Sequence, residues 1–144
     1  IEACLKNKKF DCTDGLQKRD FLFVRDVCDL YMCLSYNLYK DKNLSGEIFN
    51  AGTKQGYSVD NVVKKLCNQT GNQSLYEQIK KEFSNKKTTG EIQHQFMTYE
   101  KLKKFFGWFP KYDLDKGLIE TYNWYSNFCS KYDYKKFLDR KLKL

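Results

Sequence analysis

Apolar positions along this chain switch between helical and strand spacing, and each switch marks an element. From Asp26 onward, Val27, Leu30, Tyr31, Leu34 and Leu38 recur every three or four residues, predicting a helix to about Lys40 with Asp26 as its N-cap. Just before it, Phe21 to Val24 is a continuous run of β-formers, which predicts a short strand covered on both faces. Asp14-Gly15 ahead of that run is a turn dipeptide, because glycine tolerates positive φ and aspartate bonds its own backbone. Arg19 is therefore expected at the mouth of a buried strand, beside a polar turn. A planar guanidinium in that position suits bidentate contact with a phosphate or carboxylate.

The remaining pattern is read in the same way. Ile1 to Asn7 resembles the end of a helix, and Phe10 to Thr13 a short strand. Glu47 to Ala51 predicts a second strand ended by Gly52, and the loop Gly52–Tyr57 leads to Ser58, a good N-cap. Val59, Val62, Val63, Leu66 and Cys67 then form the stripe of a helix stopped by Gly71. Residues 72–90 are compatible with a helix facing inward through Leu75, Tyr76, Ile79 and Phe83, or with a surface strand and loop. Ile92 and Phe96 predict a strand ending at Thr98, which caps a short helix with Leu102, Phe105 and Phe106 inward, closed by Gly107. Proline restricts the residue before it, so Trp108-Phe109-Pro110 interrupts the helices. Asp113 caps a further helix through Leu114, Leu118, Tyr122 and Tyr125, and Tyr132–Leu144 predicts a basic terminal helix.

Composition narrows the class. A chain of 144 residues is one ordinary domain, and 41% hydrophobic content argues against disorder. It begins mid-pattern at Ile1, as expected of a piece cut from something longer. No apolar run approaches the roughly 18 residues of a membrane span, so a soluble protein is expected. Half of the net charge of +8 sits in Lys131–Leu144, which carries six basic residues against two acidic ones. Interleaved Tyr and Phe in that tail raise single-stranded nucleic acid as a ligand, but lysines heavily outnumber arginines, against the usual pattern of such sites. The six cysteines (Cys4, Cys12, Cys28, Cys33, Cys67, Cys129) lie mostly among apolar neighbours, where free cysteine acts as a small hydrophobe. With no C-x-x-C and His94 as the lone histidine, reduced thiols in a cytoplasm are the expectation, not zinc.

Catalytic fingerprints are sparse. Neither G-x-G-x-x-G nor a Walker loop occurs. Tyr-x-x-x-Lys occurs several times, among them Tyr36/Lys40, Tyr76/Lys80, Tyr99/Lys103 and Tyr132/Lys136, but such matches are expected by composition in a lysine-rich chain with 11 tyrosines. The chain reads as a binding piece, not a complete catalyst.

Three segments nevertheless carry a resemblance. Asp14-Gly15-x-x-x-Arg19-Asp20-Phe21-x-x-Val24-x-Asp26 resembles a segment of the extended short-chain dehydrogenases that act on nucleotide sugars. Gly46-Glu47-Ile48-Phe49-Asn50-x-Gly52 with Tyr57-Ser58-Val59 resembles their strand-loop-helix. Gly90-Glu91-Ile92-x-x-Gln95-Phe96, Lys101, Gly107-Trp108-x-Pro110-x-Tyr112-x-Leu114-x-x-Gly117-Leu118-x-x-Thr121 and Trp124-Tyr125 resemble the close of the NAD-dependent epimerase/dehydratase family, especially its nucleotide-sugar 4,6-dehydratases. Cys12 and Thr13 depart from the aromatic and glycine usual before the turn, and Gln93-His94-Gln95 from the second basic residue of many relatives.

The resemblance implies an α/β chain spanning the C-terminal part of such an enzyme over 1–128, followed by a basic tail over 129–144. Residues 21–40 would be the last strand and helix of a Rossmann-type domain whose remainder, with the NAD site and the catalytic Tyr and Lys, lies before Ile1. The rest would form the substrate lobe. Arg19 would clamp the diphosphate of a nucleotide-sugar substrate, Phe10 and Cys12 would line its base, and Asp14 and Gln17 would shape the turn. Asn50 and the Gly52–Tyr57 loop would seat the lobe. The intact enzyme would oxidise the sugar at C4 with NAD and then dehydrate or epimerise it, as a cytoplasmic homodimer pairing through parts outside this chain. The chain alone would be inactive. A stand-alone nucleotide-sugar binding module and a basic nucleic-acid binder are the alternatives.

Overall fold

The computed structural model describes residues 1–10, 12–83 and 90–132. The predicted helix of the basic tail lies outside them from residue 133 onward. The described chain is mixed α/β, running α1 (Glu2–Lys6), β1 (Lys18–Asp20), α2 (Val24–Lys40), a 3-10 turn at Lys42–Leu44, β2 (Gly56–Ser58), α3 (Val59–Gln69), α4 (Gln73–Phe83), β3 (His94–Gln95), α5 (Glu100–Phe106) and α6 (Leu114–Lys131).

β1 is the centre of a small three-stranded sheet in the order β2-β1-β3. It runs antiparallel to β2, with Arg19 opposite Tyr57, and parallel to β3, with Arg19 opposite Gln95. The strand thus falls earlier than Phe21–Val24, where the apolar run predicts it. A ladder forms where backbone partners lie on both sides, and those partners flank Lys18–Asp20. Phe21–Phe23 instead turn their side chains into packing: Leu22 joins a core cluster, and the Phe23 ring lies 4.6 Å from that of Tyr112.

Two further predicted strands are absent among the described residues. Phe10, Cys12 and Thr13 are irregular, and so is Glu47–Ala51, where Phe49 packs its ring 5.1 Å from Phe106. The helical patterns fare better. Ser58 Oγ accepts from the Asn61 amide at the start of α3, and Asp113 accepts from the Lys116 amide at the start of α6. Residues 73–83, which the sequence left open, are helical because Leu75, Tyr76, Ile79 and Phe83 are all buried on one face. Phe105, expected inward, is half exposed.

Two apolar clusters sit on either side of this framework. One joins Cys4 of α1 to Leu66 and Cys67 of α3 and to the buried face of α4. The other gathers Leu30 of α2, Leu102 of α5 and Trp108, with Leu22, Phe49 and Ala51 against them. α2 uses one face for this purpose, burying Asp26 and Leu30. Its opposite face, carrying Val24, Cys28, Tyr31, Met32, Leu38 and Tyr39, is exposed.

Asp26 is not an N-cap. α2 begins at Val24, and Asp26 stands in its first turn, only 1% exposed. Its carboxylate accepts from the backbone amides of Lys111 (2.9 Å) and Tyr112 (3.1 Å), fixing the segment between α5 and α6 onto α2. No helix of the described residues is long and apolar enough to cross a membrane.

Candidate functional site

The site is built around the turn and β1. Asp14 Oδ1 accepts from the Leu16 amide at 3.0 Å, and Gly15 adopts φ +71, as its turn requires. A side chain at Gly15 would press on Phe83 and Asp60. The turn is fixed to α3, because the Gly15 carbonyl accepts from the Asp60 amide and the Gln17 carbonyl from the Val59 amide. Gln17 is 92% buried by residue, at 8% exposure, and donates through Nε2 to Thr13 Oγ1 at 2.8 Å. Its Oε1 is buried without a hydrogen-bond partner. A buried amide oxygen left unsatisfied costs roughly 1–3 kcal/mol, so it marks a place where a donor belongs.

Arg19 stands two residues further along, at the centre of β1. Its side chain is 27% exposed. One terminal nitrogen donates to the carbonyls of Lys18 (2.9 Å) and Ile92 (2.8 Å), and the other pairs with Glu91 Oε1 at 3.1 Å. Of the five guanidinium N–H groups, Nε–H and one terminal N–H have no acceptor among the described residues. The guanidinium is thus fixed in orientation by protein contacts and retains donors for an anion.

Asp20 secures the other side. It accepts from the Thr53 amide (3.0 and 3.1 Å), from Thr53 Oγ1 (2.5 Å) and from the Met97 amide (3.0 Å). One carboxylate thereby ties the loop before β2 and the segment after β3 to the central strand. Gly52 is required by this junction, since a Cβ there would overlap the Asp20 carboxylate and the Met97 carbonyl. Sequence reasoning gave Asp20 and Glu91 no role in the site, although both stand in the segments that carry the resemblance; Glu91 is 72 residues from Arg19.

The other expected site residues are dispersed. Phe10 lines a cavity of about 380 Å³ with Ile1, Glu2, Ala3, Lys6, Lys8 and Lys9, to which Arg19 does not contribute. Cys12 packs against the core cluster of α3 and α4. Arg19, Gln17 and Asp14 are therefore brought together on the turn and strand, while Phe10 faces a different recess. Among the described residues, no group of three or more His, Cys, Asp or Glu could hold a metal ion.

In sequence and fold the chain is similar to nucleotide-sugar epimerases and 4,6-dehydratases, and it matches their C-terminal portion. It is 32% identical over 114 residues to the human dTDP-D-glucose 4,6-dehydratase, covering 77% of this chain and 30% of that protein. It is 25% identical over 111 residues to an Arabidopsis thaliana bifunctional UDP-glucose and UDP-xylose 4-epimerase, covering 77% and 30%. Among solved structures, a dTDP-glucose 4,6-dehydratase from Bacillus anthracis in complex with NAD superposes with a TM-score of 0.66 at 28% identity, covering 88% of this chain and 37% of that one. A UDP-glucose 4-epimerase from Thermotoga maritima with UDP-glucose gives 0.60 at 25% identity, covering 81% and 34%. The chain thus spans about 30% of the length of these curated relatives. No family model matches it.

Proposed function

We propose that this chain is the substrate-binding portion of an NAD-dependent nucleotide-sugar epimerase or 4,6-dehydratase, with Arg19 as the diphosphate ligand. The observation that carries the reading is a guanidinium with unused donors in the central strand, two residues after a buried amide oxygen with no donor. An activated sugar offers complementary groups, because its diphosphate accepts and its hydroxyls donate. The similarity to enzymes named for dTDP-glucose, UDP-glucose and UDP-xylose supports the same ligand class. Asp14 and Gln17 hold the turn from which Arg19 projects. Phe10 lines a separate recess and Cys12 packs against the core cluster, so contact of Phe10 with the base requires the substrate to reach that recess.

NAD does not fit this chain's own residues. No glycine-rich dinucleotide turn occurs in its sequence, so the cofactor belongs to polypeptide outside these residues and no hydride step is assigned here. The exposed apolar face of α2 supports that division, because a helix apolar on both faces suits a position between two layers. On this reading the chain alone is inactive, and any homodimer contact lies elsewhere in the intact enzyme.

An amide-resolved NMR titration with dTDP-glucose and UDP-glucose tests the proposal. Saturable shifts are expected at Arg19, Gln17 and the turn, and Arg19→Ala should weaken binding by roughly 1.5–3 kcal/mol, the range for a hydrogen bond to a charged group. Absence of shifts at these positions with either ligand, or an unchanged affinity in Arg19→Ala, removes the assignment.

A further inference from the structure

Cys4 and Cys67 play no part in the reading above, yet their sulfur atoms lie 3.8 Å apart across 63 positions of sequence. Both are enclosed: Cys67 is fully buried, and Cys4 is the single buried residue of α1. Leu66, Leu75, Tyr76 and Ile79 complete their surroundings. We propose that Cys4 and Cys67 are an oxidation site, at which a peroxide converts the facing thiols into a disulfide linking α1 to α3. The proposal does not depend on the substrate assignment.

Cys4 and Cys67 are held together by the packing of α1 on the cluster around α3, and local opening of such a contact is what exposes buried groups to solvent. Burial pushes the Cys67 thiol up to about 12, which leaves little thiolate inside the closed core near neutral pH. The closed pair is therefore inert, and reaction starts when α1 lifts and brings Cys4 to solvent. The Cys4 thiolate attacks one peroxide oxygen and the O–O bond breaks. The hydroxide released takes up a proton as the first water, leaving a sulfenic acid on Cys4. When α1 redocks, the Cys67 sulfur displaces hydroxide from that sulfur. The S–S bond forms, and the Cys67 proton leaves with the hydroxide as the second water. Two electrons from the thiols have reduced one peroxide. The closed loop contains β1 and β2, and with them Gln17 and Arg19.

The test treats the whole chain with hydrogen peroxide, blocks remaining thiols by alkylation and maps the peptides. The expected result is a Cys4–Cys67 cross-link, with both of these cysteines lost to alkylation, and a Tm higher by on the order of 5–10 °C that dithiothreitol reverses. The rate should rise in mild urea, which favours the lifted α1. Cys12 also packs against this cluster and is the competing partner. Cys12→Ser should therefore keep the cross-link. Cys67→Ala should leave Cys4 as a sulfenic acid that dimedone traps. Recovery of Cys4 and Cys67 as alkylated thiols after the exposed Cys28 has oxidised overturns the proposal, as does a cross-link through Cys12. Both outcomes are read on the unmutated chain, so a failure of Cys67→Ala to fold does not affect them.

Discussion

Asp26 stands in the first turn of a helix, yet its two oxygens serve amides more than 80 residues away. Removing the carboxylate leaves the Lys111 and Tyr112 N–H groups without their acceptors in a partly buried junction. Asp26→Ala should therefore destabilise the chain by roughly 2–4 kcal/mol, and Asp26→Asn should recover only part of that, because its NH2 group confronts a donor. Urea denaturation of the two variants checks the order, and equal stability of all three proteins would exclude the clamp. Tyr76 gives a pH-dependent counterpart. Burial, reinforced by the hydrogen bond to Asp60 at 2.8 Å, pushes its phenol from 10 up to about 12. A folded pKa above the unfolded one favours the protonated native state, so this contribution is complete below about pH 10 and is lost as pH rises toward 12. The Tyr76→Phe chain should be less stable by about 1.5 kcal/mol at pH 8, and its stability should fall less steeply between pH 10 and 12. Thermal melts across that window would decide it.

At the scale of elements, the helices were legible and the sheet was not, for one physical reason. Helical stripes such as Val59, Val62, Val63, Leu66 and Cys67 are local, and caps such as Ser58 and Asp113 stand beside what they cap. The strands have two or three residues each, and their positions depend on partners far along the chain, so the apolar Phe21–Val24 was read as the strand although Lys18–Asp20 is paired. The site divides in the same way. The turn at Asp14-Gly15 and the placing of Arg19 beside it follow from local chemistry. The grip of Glu91 on Arg19 and of Asp20 on Thr53 and Met97 depends on long-range closure, so local spacing does not assign it even though both residues stand in the segments that carry the resemblance. Gly52 reports this closure directly. Gly52→Ala has to displace the Asp20 carboxylate and the Met97 carbonyl, and should cost about 2–3 kcal/mol. Gly46 has open space around its missing side chain but sits at φ +86, so Gly46→Ala should cost only about 1 kcal/mol. Chemical denaturation of the two variants would show whether steric closure or backbone conformation dominates. A smaller loss at Gly52 would argue against the junction.

For the whole molecule, the most consequential feature is a helix with two apolar faces and only one of them covered. Leu30, with Cys33 and Leu34 beside it, turns toward the cluster around Leu102 and Trp108, while Tyr31, Met32 and Tyr39 are each more than two-thirds exposed. A contiguous apolar surface of this kind either meets a partner layer or promotes association. The match to only the C-terminal portion of longer enzymes favours the partner layer as its natural cover. The isolated chain should accordingly bind the hydrophobic dye ANS and associate as concentration rises. Placing charge on that face with the double variant Tyr31→Lys, Tyr39→Lys should suppress both effects, while changing the unfolding free energy by no more than about 0.5 kcal/mol, as exposed substitutions ordinarily do. Sedimentation velocity and dye fluorescence on the two proteins provide the measurement. A loss of several kcal/mol in the double variant would mean that these tyrosines already pack within the chain, and the face would then need no partner.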